Sequence, residues 1–113
     1  MDNNIKMNAL ALQINEQIIE KLLMIYDPEI GLDIINLGLV YEINLDETGH
    51  CEITITFTGM GCECIESIPG EIEEVLLELA EIHSVHVEIV WSPAWKMTRI
   101  SRFGRISLGV SPN

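Results

Sequence analysis

The segment YEINLDETGHCEITITFT, residues 41–58, alternates apolar and polar side chains on either side of a turn. The apolar members are Tyr41, Ile43 and Leu45 before the turn, and Cys51, Ile53, Ile55 and Phe57 after it. A period of two is typical of a strand with one buried and one solvated face, and Asp46 to Gly49 are typical turn residues. The segment therefore predicts a β-hairpin, with Thr54, Thr56 and Thr58 in a row on its solvated face.

A helical pattern precedes the hairpin. From Ala9 to Tyr26 apolar residues recur every three or four positions, which predicts one helix with a single buried face. We expect it to end at Asp27, because Pro28 disfavours a helical conformation in the residue before it. Residues 1–8 are polar and are expected to be a flexible N-terminus, so residues 9–113 form the predicted single domain.

A second helix and a third strand follow the hairpin. Ile65 to Ile82 repeat the helical spacing, and Pro69 either begins the regular part of that helix or kinks it. Alternation then resumes from Val85 to Trp91, which places Trp91 in the expected core. The predicted fold is α+β, a two-layer sandwich in the order α-β-β-α-β. It has a three-stranded, mainly antiparallel or mixed sheet, helices on one face, and a short basic helix or extended end over residues 96–110.

Charge is unevenly distributed along the 113 residues. The net charge is −12, and all 18 acidic residues lie at or before Glu88, whereas four of the six basic residues lie in the segment 96–105. An acidic body repels phosphate backbones, which argues against a nucleic-acid binder. No apolar run approaches the roughly 20 residues that span a bilayer, and no signal peptide is evident, so we expect a cytoplasmic protein without membrane contact.

Cys62 and Cys64 are the thiols best placed for chemistry. They follow a glycine-containing turn and precede a predicted helix, whose free amide groups and dipole favour a thiolate. Their spacing is awkward for a closed zinc site, so a bound metal would need other ligands or a second subunit. The alternative is that one thiol packs inward and the other is incidental. Cys51 lies on the apolar side of its strand and is expected to be a buried thiol.

Two further regions have both a structural and a functional interpretation. Asp27 and Glu29 crowd the loop after the first helix, where carboxylates can bind a hard cation or simply form a turn. The C-terminal segment supplies a candidate partner surface, or a tail that folds back over the sheet. Its residues are Trp95, Met97, Arg99, Arg102 and Phe103.

Four motifs together resemble the SufT and PaaD-type iron–sulfur assembly family. They are DPEIGLDIINLGLVYEI, TFTGMGC, IVWSPAWKM and ISRFGRISLGV, and they extend over about residues 12 to 110. The resemblance implies a two-layer α+β fold, frequent dimers and a role in iron–sulfur protein maturation. It also implies that Asp27, Glu29, Thr58 and Cys62 are site residues, with the acidic loop and the Cys62 turn at one end of the sheet.

The sequence departs from that family at two positions. Glu63 stands where the family usually has proline, and Cys64 stands where a small or apolar residue is usual. The pair of thiols is therefore not a family feature. The chain also lacks the cysteine-rich extension of the phenylacetate-degradation members, which favours the SufT-like branch.

Three functions follow as hypotheses. The first is a non-enzymatic maturation factor that holds iron or a transient iron–sulfur cluster through Cys62 and Cys64 and passes it to client apoproteins. The isolated protein need not carry that cluster. The second is a metal-free adaptor that contacts assembly proteins and clients through the C-terminal surface. The third is a thiol-dependent enzyme, although no histidine has a motif that would make it the base.

Overall fold

The computed structural model describes residues 5–59 and 64–109, except for the side chain of Cys64. In chain order its elements are β1 (Lys6–Met7), α1 (Ala9–Gln13), α2 (Asn15–Leu22), α3 (Ile34–Leu37), β2 (Val40–Leu45), β3 (His50–Ile55), α4 (Cys64–Leu76), β4 (Ser84–Ile89), a 3₁₀ turn (Met97–Arg99) and α5 (Arg102–Ser107). The fold is α+β, as predicted.

The predicted hairpin is formed by β2 and β3. These strands are antiparallel, with Leu45 opposite Cys51 and Val40 opposite Ile55. In the turn, an Asp46 Oδ1 oxygen accepts hydrogen bonds from the backbone amides of Thr48 and His50. The Thr48 hydroxyl also donates to this carboxylate, and these bonds lower the Asp46 pKa below its usual value.

The sheet has four strands in the described residues, one more than the sequence pattern predicts. Its order is β1-β2-β3-β4, and both outer strands run parallel to their neighbours. The additional strand is Lys6–Met7, within the segment expected to be flexible. Two residues are too few to show a period, which is why the alternation does not reveal β1.

One face of the sheet is dry and packs against helices. Ile43, Ile53 and Cys51 are fully buried there, with α1 against β2 and α4 against β4. The opposite face carries exposed Glu52, His86 and Glu88. The alternation in the hairpin therefore identifies the buried face correctly from residue 43 to residue 55.

The first helix differs from its prediction at two points. It is divided at Ile14, whose backbone leaves the helical region at φ −123°, and α2 ends at Leu22 rather than at Asp27. Downstream, the amide of Ile34 donates to the carbonyl of Ile25, and Tyr26 forms a β-bridge with Asp33. The chain leaves the helix early because this loop satisfies its own backbone groups.

The second helix and the tail agree better with expectation. Pro69 lies inside α4, which ends at Leu76 rather than at Ile82. The tail forms the short basic helix α5, and the amide of Ser101 donates to the carbonyl of Asn36 at 2.8 Å. Gly104 is buried against Leu32, with no room for a Cβ atom. These contacts hold α5 against α3 and the residues before it.

Candidate functional site

One end of the sheet collects several of the predicted site residues. Ile55, the last residue of β3, pairs both with Val40 at the start of β2 and with Ile89 at the end of β4. Three segments therefore begin or end there: the one that leads to Thr58 and α4, the one that leads from α3 into β2, and the one after β4. Cys51 lies at the opposite end of β3, beside the hairpin turn.

Asp27 organises the acidic loop. Its side chain is 1% exposed, and Oδ1 accepts hydrogen bonds from the amides of Glu29 at 2.8 Å and Ile30 at 3.1 Å. Its backbone carbonyl accepts from Gly31, and its amide donates to Leu32. Asp27 thus forms the turn that the Asp-Pro sequence indicates, while Glu29 is exposed to solvent.

Backbone hydrogen bonds connect this loop to the end of β3. Asp33 caps α3 by accepting from the amide of Asn36 at 2.8 Å, and it also accepts from the Asn36 side chain. The amide of Leu39 donates to the carbonyl of Ile34, and the carbonyl of Leu39 accepts from the amide of Thr56 at 2.8 Å. The acidic loop is therefore held at the end of the sheet to which Thr58 belongs.

The threonine row of the hairpin does not stay on the solvated face. Thr56 is completely buried, and its hydroxyl has no hydrogen-bond partner in the described structure. Thr58 is half-buried. The prediction was wrong for Thr56 because β3 ends at Ile55, and the chain then runs against Leu39 instead of along the open face.

The three thiols have different positions. Cys62 lies outside the described residues, so its predicted role stays a prediction. Cys64 is the first residue of α4. Cys51 is a free, fully buried cysteine, as expected, and burial raises the pKa of its thiol to about 11.

No group of three histidine, cysteine, aspartate or glutamate side chains is positioned to hold a metal ion within residues 5–59 and 65–109. The acidic loop contributes one buried carboxylate that accepts backbone amides and one exposed carboxylate.

The C-terminal surface is partly used inside the molecule. The indole N–H of Trp95 donates to the carbonyl of Leu37 at 2.8 Å. Arg99 donates from Nε to the carbonyl of Gly38 at 2.8 Å, and its guanidinium lies 4.2 Å from the centre of the Tyr41 ring. These two candidate partner residues thus fasten the tail to the start of β2.

The other members of that surface face solvent. Met97 is 55% exposed and Phe103 is 63% exposed, and Arg102 is also exposed. Ile106, 58% exposed, lies one helical turn after Phe103 and belongs to the same surface. Sequence reasoning missed Ile106, although its i+3 spacing from Phe103 is a signal that could have identified it.

Trp91 is another correction. The alternation placed it in the core, yet it is 43% exposed. Its ring centre lies 6.2 Å from that of Phe57, which is buried. Because β4 ends at Ile89, Trp91 falls beyond the last residue that the strand register fixes, at the same sheet end as Thr58.

Comparison with known proteins identifies the family. The family described as iron–sulfur cluster assembly protein matches residues 15–89. This chain belongs to that family. The match begins with α2 and ends with β4, so it includes the acidic loop, the hairpin and α4.

Two named members are similar along nearly their whole length. The Fe-S protein maturation auxiliary factor SufT of Staphylococcus aureus (strain USA300) is 48% identical over 88 residues, which cover 78% of this chain and 100% of that protein. The Fe-S protein maturation auxiliary factor YitW of Bacillus subtilis (strain 168) is 42% identical over 97 residues, covering 86% and 95%. The predicted SufT-like relationship is confirmed. Both relatives are named as auxiliary factors rather than as enzymes.

A solved structure shares the fold. The crystal structure of a domain of unknown function, DUF59, from Bacillus anthracis superimposes with a TM-score of 0.83 and 36% sequence identity, covering 92% of this chain and 100% of that one. No helix among the described residues of the present chain has both the length and the hydropathy to cross a bilayer.

Proposed function

We propose that this protein is an auxiliary factor in the maturation of iron–sulfur proteins, with iron or a nascent cluster as its transient cargo. In this proposal Cys62 is the principal ligand, Cys64 is a second ligand, and the cargo passes to client apoproteins in the cytoplasm. The observation that supports the general role is the 48% identity to a protein named as such a factor, over the whole length of that protein. The cargo chemistry is inferred from the residues below.

Chain connectivity supports the choice of thiols. Cys64 opens α4, and Cys62 lies two residues before it. The first turn of a helix has unsatisfied amide groups and a positive dipole end, which stabilise a thiolate. Thiolates are the soft ligands that iron–sulfur clusters use. Cys51 is a poor ligand by comparison, because its buried thiol has a pKa of about 11 and a ligand must be deprotonated.

The neighbouring polar groups have separate proposed roles. Glu29 is exposed and would offer a carboxylate oxygen to iron before sulfide arrives. Asp27 fixes the loop that carries Glu29, through its bonds to the amides of residues 29 and 30. The Thr58 hydroxyl, half-buried at the same sheet end, would donate a hydrogen bond to a thiolate.

A site with few protein ligands is suited to a carrier. A closed set of four ligands retains its metal, whereas an incomplete set leaves positions that a client's own cysteines can occupy during transfer. A homodimer could contribute two copies of Cys62. Partners in this proposal are therefore the assembly proteins that load the cargo and the apoproteins that receive it.

Anaerobic reconstitution tests this proposal. Wild type, Cys62→Ser and Cys64→Ser are incubated with ferrous iron and sulfide, and iron and sulfide per chain are measured with the visible absorbance. We expect a chromophore on wild type that Cys62→Ser abolishes. The matched control is Cys51→Ala, which removes a thiol outside the proposed site and should load like wild type. Equal loading of wild type and Cys62→Ser would refute the role of Cys62.

A second candidate function is a metal-free adaptor, and the exposure of Met97 and Phe103 beside Arg102 favours it. Exposed apolar groups next to a cation are suited to an acidic partner protein. Under this function Phe103→Ser and Arg102→Glu would abolish complementation of a deletion strain, while Cys62→Ser would not. Lys96→Glu, an exposed charge reversal nearby, is the matched control. Loss of complementation only in Cys62→Ser would exclude the adaptor.

A further inference from the structure

An apolar groove lies along the edge of the sheet, between β1 and the helices α1 and α2. Its volume is about 610 Å³, and its apolar lining is Ile5, Met7, Leu12, Ile19 and Leu23. Leu12 is 54% exposed, so a large apolar side chain is open to solvent. β1 is the outer strand of the sheet, at the edge opposite β4, and α2, which lines the groove, also packs against α4.

The rim of the groove is negatively charged. Glu16 and Glu20 line it, and both are exposed. The salt bridges of the described structure are Lys21 with Glu78, at 2.7 Å, and His86 with Glu88, so neither rim glutamate has an ion pair there. An apolar floor with two uncompensated carboxylates fits an apolar segment that carries positive charge.

Helix α5 has the complementary surface. Phe103 and Ile106 are 63% and 58% exposed, and Arg102 beside them makes no ion pair with any described residue. The opposite side of the helix is occupied, because Gly104 is buried against Leu32 and Ile100. One side of α5 thus packs against its own chain, and the other side presents two apolar side chains and a cation to solvent.

We propose that α5 of one copy docks into this groove on a second copy. Phe103 and Ile106 contact the apolar floor, and Arg102 faces Glu16 and Glu20. The dimensions agree: the eight residues of α2 extend over about 12 Å at 1.5 Å per residue, and the six residues of α5 occupy about 9 Å. Anchors separated by three residues are the usual way in which a helix occupies a groove.

A second copy is the occupant because α5 does not line the groove of its own chain; it packs on α3 instead. The contact uses different surfaces on the two copies, so it is heterologous and either closes into a ring or continues. A short helix buries little area, and the net charge of −12 opposes association, so we expect a dissociation constant of about 0.1 mM. This inference does not depend on the cargo proposed for Cys62.

Sedimentation equilibrium on the full chain tests the contact, with reductant and a chelator present so that thiols and metal ions cannot bridge copies. Wild type should self-associate as its concentration rises. Glu20→Lys and Arg102→Glu should each weaken association about tenfold or more, because each places like charges together. Their equimolar mixture should associate more strongly than either variant alone, since the groove of one variant then meets a helix of opposite charge on the other.

Matched controls change the same charge elsewhere. Glu73→Lys on α4 and Lys96→Glu before the 3₁₀ turn are both at exposed positions, and they should associate like wild type. The proposal is overturned if wild type is monomeric up to about 1 mM, ten times the expected dissociation constant. It is also overturned if the controls weaken association equally, or if the mixture associates no more strongly than either variant alone. Intramolecular NOEs to the Leu12 methyl groups of a monomer, from a segment of the same chain that does not line the groove, would be equally decisive against it.

Discussion

Cys51 lies near the start of β3 and Thr56 directly follows its last residue, and burial has a different consequence for each. The Cys51 thiol loses water and holds its proton, so its pKa rises to about 11. The Thr56 hydroxyl is equally buried but has no hydrogen-bond partner among the described residues. The first is an inert core residue. The unpaired hydroxyl of Thr56 lowers the stability of the fold beside the candidate site.

Cys51 should resist alkylation in the folded protein. In a Cys62→Ser/Cys64→Ser background, where it is the remaining thiol, iodoacetamide at pH 8 should label it far more slowly than in urea. The pKa of the Cys51 thiol is higher in the folded than in the unfolded chain. Its contribution to the free energy of unfolding is therefore fully present below the pKa of the unfolded thiol, near 8.5. That contribution is lost as pH rises towards 11. Equal labelling rates in the folded and unfolded chain, measured by mass spectrometry, would contradict its burial.

Thr56→Val should stabilise the protein. The substitution keeps the branched shape and removes a buried hydroxyl that lacks a partner, so we expect a gain of about 1–2 kcal/mol. Thr54→Val is the matched control, because Thr54 lies two residues earlier and is partly exposed. It should change stability by about 0.5 kcal/mol or less. Thermal unfolding followed by circular dichroism measures both. A loss of stability in Thr56→Val would show that the hydroxyl does bind something.

At the scale of elements, regular spacing of apolar residues predicted the hairpin, α4 and β4, because each element is long enough to repeat its period. Short or interrupted elements were not predicted correctly. β1 has two residues, and the apolar spacing of the first helix continues through Ile14, where the backbone leaves the helix. The end of α2 depends on bonds between Ile25 and Ile34 that no local pattern contains.

Gly38 is the glycine on which the junction of α3, β2 and the tail depends. Its φ is +77°, and an added Cβ would collide with the backbone carbonyl of Arg99. Gly38→Ala should therefore cost about 2 kcal/mol or more, because it combines a left-handed backbone with displacement of the tail. Urea unfolding measures this loss of stability.

Two other glycines separate the contributions at Gly38. Gly31 has a φ of +80° and open space around its Cβ position, so Gly31→Ala should cost about 1 kcal/mol, from the backbone conformation alone. Gly70 lies within α4 with open space and an ordinary φ, so Gly70→Ala should stabilise the helix by about 0.5–1 kcal/mol. Equal losses at Gly38 and Gly31 would show that the Arg99 contact has no energetic role.

At the scale of the whole molecule, the tail and the acidic loop are attached to the same end of the sheet. Trp95 and Arg99 donate to carbonyls of residues 37 and 38, and the loop reaches Thr56 through Leu39. Sequence periodicity could not predict this arrangement, because it depends on contacts between residues far apart in the chain. The family resemblance implied that the acidic loop and the Cys62 turn share one end of the sheet. The loop lies at the end of β3, whereas the Cys62 turn is outside the described residues.

The most direct test of the cargo proposal is transfer to a client. Wild type and Cys62→Ser, each first incubated anaerobically with iron and sulfide and then desalted, are mixed with a 4Fe–4S apoenzyme, and the recovery of its activity is followed over time. The account predicts rapid activation by wild type and, from Cys62→Ser, a rate no greater than that of the desalted iron–sulfide mixture without protein. Activation by Cys62→Ser at the wild-type rate would contradict the claim that this thiol carries the cargo.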